Sequence, residues 1–357
     1  MKRTLSLALV GAFVLVAGCD TENPPAEASV RVMSQNLYLG GDLFTLLDPS
    51  CNGVAILGCV AQLYATIEAS DPEARMAAIA AEIASVEPDL VGLQEVSTYY
   101  TQMPADNLPN GAATPATNKT YDFLELLLDA LEDEGLTYTV ASRSDNSDVE
   151  FPATADGSTF FDVRYQDADV ILAKQGVSTS DAEEVVYNSL LTIDVGGTPQ
   201  TFTRSYQSVM ATVDGLDFRF VNTHLEVGGQ ASIIQQGQGS QLVSAISATG
   251  GPLVLVGDLN SDAAGTGTTT YSLVTAAGTG LVDAAGSGAG DATCCQDADL
   301  RNDDSDLSTR IDLILVRNGT VTGFDTILDA DADMVDGLWP SDHAGVWADL
   351  TLTNVES

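Results

Sequence analysis

The chain holds two histidines, His224 and His343, and each stands beside an apolar, strand-like run and a carboxylate or amide. His224 lies in FVNTHL, and His343 follows Asp342 in WPSDH. Other polar residues occupy similar places: Asn36 ends VRVMSQN, Glu95 ends DLVGLQE, Asp258 and Asn260 follow PLVLV, and Asp312 sits in RIDLILV. Any one of these alone reads as a turn former or a satisfied core group. Together they read as a site. Hard carboxylate and amide oxygens suit magnesium, with manganese or calcium as alternatives. Carboxylates and imidazoles without a Ser or Cys nucleophile motif point to water attacking phosphorus.

Such residues need strands to aim them. Residues 253–256 form an unbroken apolar run behind a Gly-Pro turn signal, which predicts a strand buried on both faces. Alternation along that strand would point Asp258 and Asn260 the same way. Further strands are expected over 30–36, 89–95, 138–141, 168–173, 310–316 and 344–352, with a hairpin of 207–213 and 216–223 around Asp214-Gly215. Helices are expected from Asp71-Pro72 to near Pro88, over 121–134 and over 233–248. Residues 43–70 read as an insertion, 99–120 as a surface loop, and 262–309 as a loosely patterned rim of the site. Mixed strands and helices with hairpins indicate an α+β fold, two packed sheets with helices outside.

Residues 1–18 read as a signal peptide: Lys2 and Arg3, then an apolar run too short to span a bilayer comfortably. LVAGC resembles a bacterial lipobox, which implies lipidation of Cys19 and a membrane-anchored protein of the cell envelope, outside the cytoplasm. Residues 19–29 then form a polar tether. With Cys19 set aside, Cys51, Cys59, Cys294 and Cys295 remain in an oxidising context, their pairing open and their spacing unlike a zinc site. The formal net charge is -38, and no Lys/Arg cluster offsets it. That field disfavours nucleic acid as a partner, although a salty habitat would also explain it.

SQNLY, LQE, NTHL, GDLNS, RID and SDH, in this order, resemble the motifs of the endonuclease/exonuclease/phosphatase superfamily. The resemblance implies a deoxyribonuclease-I-like four-layer α/β/β/α sandwich of two packed, mostly antiparallel sheets over residues 30–353. It also implies roles. Glu95, Asn36 and Asp342 would hold the metal; Asp258 and Asn260 would orient the water and the phosphate. His343 would be the general base held by Asp312, and His224 would stabilise the phosphorane or leaving oxygen. Arg164 is a weaker phosphate-contact candidate, Arg310 reads as structural, and Asp42 reads as a turn carboxylate. A Trp before the Gly-Asp motif and a Cys-Asp-Arg motif are absent, against an inositol-phosphate phosphatase. LQEV in place of LQET disfavours an abasic-site endonuclease. Among what remains, the lipid anchor and the negative field favour a metal-dependent phosphodiesterase for a small or lipid phosphodiester, sphingomyelinase-like. The alternatives are a secreted nuclease and a surface-anchored, non-catalytic binding domain.

Overall fold

A computed structural model describes residues 27–106, 113–195, 197–286 and 291–354. The expected signal stretch, Cys19 and the tether up to residue 26 lie outside them. The chain first lays down β1 (Glu27–Asn36), β2 (Leu90–Gln94), β3 (Thr98–Gln102), β4 (Asn118–Asp122), β5 (Tyr138–Ala153) and β6 (Phe161–Lys174) in one sheet. It crosses to a second sheet with β7 (Ser178–Val186), forms a separate ribbon from β8 (Leu191–Val195) and β9 (Thr198–Phe202), and continues through β10 (Ser205–Val213), β11 (Leu216–His224), β12 (Leu253–Asp258), β13 (Val282–Asp283) and β14 (Asp312–Arg317). Finally β15 (Gly319–Ile327) and β16 (Gly345–Thr353) return to the first sheet, whose order is β15-β16-β1-β2-β6-β3-β4 with β5 beside β6. Among the described residues, the β1–β2 and β11–β12 pairs run parallel and the other pairs antiparallel.

Three apolar cores separate four layers. Helices α1 (Ile56–Ala69), α2 (Pro72–Val86) and α3 (Phe123–Asp133) bury Ile67, Met76, Ile83 and Leu127 against Met33, Leu93 and Leu172 of the first sheet. Between the sheets Val32, Leu90 and Ile171 meet Phe220, Val254 and Val256. On the far side α4 (Ser232–Ser247) and α5 (Thr270–Val274) pack Leu242, Ile246 and Val274 on Val221, Leu253 and Leu255. The β12 run is apolar throughout because alternate residues enter two different cores. Helix starts follow their caps: the Asp71 side chain accepts from the Ala74 N–H ahead of Pro72, and Asp122 accepts from the Glu125 N–H.

The structure departs from expectation where polarity hides pairing. Residues 43–70 hold short 3-10 turns and α1, tied by a Cys51–Cys59 disulfide. The expected loop over 99–120 contains most of β3 and the start of β4. β5 runs on to Ala153 through SRSDNSDVE because β6 pairs with it almost throughout. β1 begins at Glu27, inside the expected tether, where Glu27 pairs with Thr353. The hairpin turn is as expected, with Asp214 and Gly215 both at positive φ, 51° and 81°, as a type I′ turn requires.

Candidate active site

Strand register assembles the polar residues. On the second sheet His224 of β11 is level with Asp258 of β12, and Asp258 is level with Asp312 of β14. One carboxylate thus sits between a histidine and another carboxylate. At Gly257, φ is 142° and an added Cβ would lie 2.0 Å from the Thr223 carbonyl oxygen, so only glycine lets the two parallel strands close at this end. On the first sheet Asn36 is level with Gln94, and Glu95 follows at φ 54°, a left-handed conformation uncommon for a non-glycine residue. The sheets meet closely here. Asn222 of β11 donates to the carbonyls of Leu93 (2.9 Å) and Val170 (3.2 Å), while its own oxygen accepts from Gln94 (2.7 Å).

Asp258 and Asn260 do converge, but by a different route from strand alternation. β12 ends at Asp258, and Asn260 adopts φ 48°, turning back so that its backbone N–H donates to Asp258 Oδ1 at 2.8 Å. The Asn260 side-chain nitrogen then lies 3.4 Å from Asp258 Oδ2 and 3.2 Å from His224 Nε2. Asn36 bridges the sheets, its amide nitrogen 3.3 Å from Glu95 Oε1 and 3.2 Å from Asp258 Oδ2. Its oxygen accepts from the Tyr38 N–H at 2.9 Å, which fixes the amide orientation. Held this way, Asn36 offers a donor to the carboxylates, whereas a metal ligand would have to turn its oxygen inward.

The His343 ring is held by Asp312, with Nδ1 2.8 Å from Asp312 Oδ2. Both residues are buried. Its Nε2 lies 3.9 Å from both Asp258 Oδ2 and Asp342 Oδ1, and 4.0 Å from Cys295 Sγ. Burial disfavours the charged ring, but Asp312 and Asp342 outweigh it and hold the pKa well above 6.5. Burial, reinforced by neighbouring negative charge, pushes the Asp258 and Asp342 carboxyls each up to about 7. His224 is different. Burial, then the Arg204 charge and His343, push its pKa well below 6.5.

Arg204 is the residue that sequence reasoning missed here. Its Nη1 lies 2.8 Å from His224 Nδ1, and a guanidinium can only donate, so Nδ1 accepts and the neutral ring carries its proton on Nε2. That proton faces Asp258 Oδ2 at 3.4 Å. Asp167 and Glu226, each 3.8 Å away, counter the Arg204 charge. Arg75, also missed, is buried in α2 and donates to the carbonyls of Tyr38 (2.7 Å) and Pro340 (2.8 Å), and to that of Leu37, pinning the loops that follow Asn36 and precede Asp342. Neither arginine stands in a local motif. The only signal was cation scarcity, with 13 Lys and Arg against 51 acidic residues.

The remaining candidates separate. Arg164 bonds Asp148 at 2.7 Å and covers the Tyr100 ring, away from the site's lining. Arg310 is buried and bonds Asp283 at 2.8 and 3.1 Å, a structural pair. Asp42 caps a 3-10 turn through the Phe44 N–H at 2.8 Å. Cys294 and Cys295 are joined to each other beside His343.

The donors suit a hard divalent cation. Asp342 Oδ1 is buried without a hydrogen-bond partner among the described residues, and Asp342 feels the Glu95 charge. Unfilled carboxylate lone pairs beside a second carboxylate are what such an ion satisfies. Ligand atoms of Asp258, Asp312 and His343 also lie within 4.8 Å of one another, a second grouping that overlaps the dyad.

A family model described as "Endonuclease/Exonuclease/phosphatase family" matches residues 33–343. The chain belongs to that family. It is accordingly a phosphoesterase of the endonuclease/exonuclease/phosphatase group, and its Asp/His cluster accords with the divalent-metal dependence of these enzymes. Solved structures show the same fold. A family protein from Leptotrichia buccalis superposes with a TM-score of 0.53 at 15% identity, covering 90% of this chain and 99% of that one. A mannosyl-6-phosphatase from Bacteroides thetaiotaomicron gives 0.52 at 17% identity, covering 90% and 99%. A family protein from Beutenbergia cavernae gives 0.52 at 21% identity, covering 91% and 72%. No curated protein matches the sequence.

Proposed function

We propose that the protein is a divalent-metal-dependent phosphodiesterase acting on small or lipid phosphodiesters. The observation that carries the reading is the buried Asp312–His343 pair, with Nε2 3.9 Å from both Asp258 Oδ2 and Asp342 Oδ1. Asp312 fixes the ring so that Nε2 takes the proton from the attacking water. Asp258 aligns that water, and the Asn260 amide with the His224 Nε2–H meets the phosphoryl oxygens. A magnesium ion held by Glu95 and Asp342 would supply Lewis-acid charge stabilisation. Manganese or calcium would serve the same oxygen donors.

Charge supports a small or lipid substrate over nucleic acid. A net charge of -38 repels polyanions, and the two guanidiniums nearest the site are engaged, Arg204 by His224 and Arg75 by the carbonyls of Tyr38 and Pro340. Turnover is to be measured on bis-p-nitrophenyl phosphate, p-nitrophenyl phosphate, sphingomyelin and duplex DNA at low salt, each with magnesium and with EDTA. Either of the first diester or sphingomyelin is expected to exceed DNA and the monoester, and EDTA should abolish the rate. Preferred monoester hydrolysis would make it a phosphatase, like the mannosyl-6-phosphatase from Bacteroides thetaiotaomicron. Efficient DNA cleavage would favour the nuclease reading, and no turnover on any substrate the binding-domain reading.

The envelope location belongs to the same reading, supported by VAGC after the apolar run and by the polar stretch that follows. Intact mass analysis of protein from membranes should show cleavage before Cys19 and a lipid adduct on it. An unmodified Cys19 would remove the anchor.

A further inference from the structure

A cavity of about 340 Å³ opens from the catalytic group and runs under the 43–67 segment. Its lining is mostly apolar, and Asp258, Asn260 and His343 are among its polar groups. The apolar part of the walls is aliphatic and aromatic: Leu46 and Phe44 from the 3-10 turn, Tyr64 from α1, Phe151 from β5, and Ile193 and Phe202 from the ribbon. Two elements added to the sheets make this chamber. The 43–69 segment, braced by Cys51–Cys59, packs against β5 from one side, and the β8–β9 ribbon reaches both β5 and the 43–47 turn from the other. A volume of this size lies within the range of small-molecule sites, in which apolar walls carry the binding and a few polar groups fix orientation.

We propose that this chamber binds an alkyl chain esterified to the substrate phosphate, so that the site selects phosphoesters carrying an aliphatic tail. The inference rests on the phosphodiesterase reading for the position of the phosphate beside Asp258, Asn260 and His343. Apolar walls oppose other occupants. A sugar or a second phosphate set against Leu46, Phe151, Ile193 and Phe202 would leave hydroxyls or charge without partners there, at a cost that an alkyl chain avoids. Removing an alkyl chain from water is itself favourable and grows with each methylene.

The test uses methyl, butyl and octyl p-nitrophenyl phosphates below their micelle-forming concentrations, with magnesium. In parallel, calorimetry follows binding of methyl-, butyl- and octylphosphonate, which cannot be hydrolysed. For the wild type, kcat/KM is expected to rise about two- to fourfold per methylene until the chamber fills, and phosphonate Kd to fall in step. Ile193→Ser on the ribbon and Phe44→Ser on the 48% exposed turn position should each shrink the octyl-to-methyl ratio, with melting transitions recorded to confirm folded protein. Rates and affinities independent of chain length, or an unchanged ratio in both variants, would overturn the proposal. Chain-length-dependent phosphonate binding without turnover of any ester would uphold the chamber while removing the phosphodiesterase reading.

Discussion

Replacing His343 with alanine lowers kcat by about a hundredfold to ten-thousandfold in saturating magnesium, with KM changing far less, because proton transfer to a positioned base contributes on that scale. The sign of the pH dependence follows from the ring's neighbours. Asp312 and Asp342 favour the protonated imidazole and hold its pKa above the ordinary value. A base acts only when neutral, so the wild-type rate falls as pH drops through that raised pKa. Asp312→Asn removes the neighbouring charge and shifts the acid limb to lower pH. Initial rates on bis-p-nitrophenyl phosphate across pH check both statements. Near wild-type kcat in His343→Ala, or an acid limb that stays in place in Asp312→Asn, would assign the base elsewhere.

Glu95→Gln is expected to act through the metal. It removes a ligand charge while leaving the His343–Asp312 bond intact, so the concentration of magnesium needed for half-maximal rate should rise at least about tenfold to hundredfold, the scale seen when even the partners of metal ligands are removed. Excess magnesium should recover part of kcat, which it cannot do for His343→Ala. Titration of the rate with magnesium after EDTA treatment separates the two variants. A Glu95→Gln enzyme with unchanged magnesium dependence would move the ion to the Asp258–Asp312–His343 grouping.

The parts of this fold that were legible in sequence are those whose own composition demands burial. The 253–256 run behind its Gly-Pro signal reads as a doubly covered strand, and Asp214-Gly215 reads as a tight turn between strand-like segments. β5 beyond residue 141 and the exposed β7 were illegible for the opposite reason: their polar residues are extended because neighbouring strands pair with them. The site divides likewise. Residues at the ends of apolar runs could be gathered by pattern, and the structure brings Asn36, Glu95, His224, Asp258, Asn260, Asp312, Asp342 and His343 to one place. Arg75 and Arg204 act through carbonyls and a histidine distant or unpatterned in sequence, so nothing local marks them. Arg164, the weaker phosphate-contact candidate, is held by Asp148 across the β5–β6 pair.

The level placement of His224, Asp258 and Asp312 makes catalysis a sensitive reporter of correct folding. β12 is apolar on both sides, so a shift of one residue against β11 or β14 would swap one set of valines and leucines for another at little hydrophobic loss. What resists the shift is polar and steric: the glycine fit at Gly257 and the Asn222 bonds to the opposite sheet. A slipped strand would draw Asp258 out of level with His224 and Asp312 and so abolish activity. Active-site titration of purified protein, rather than its circular dichroism, therefore counts the correctly assembled molecules.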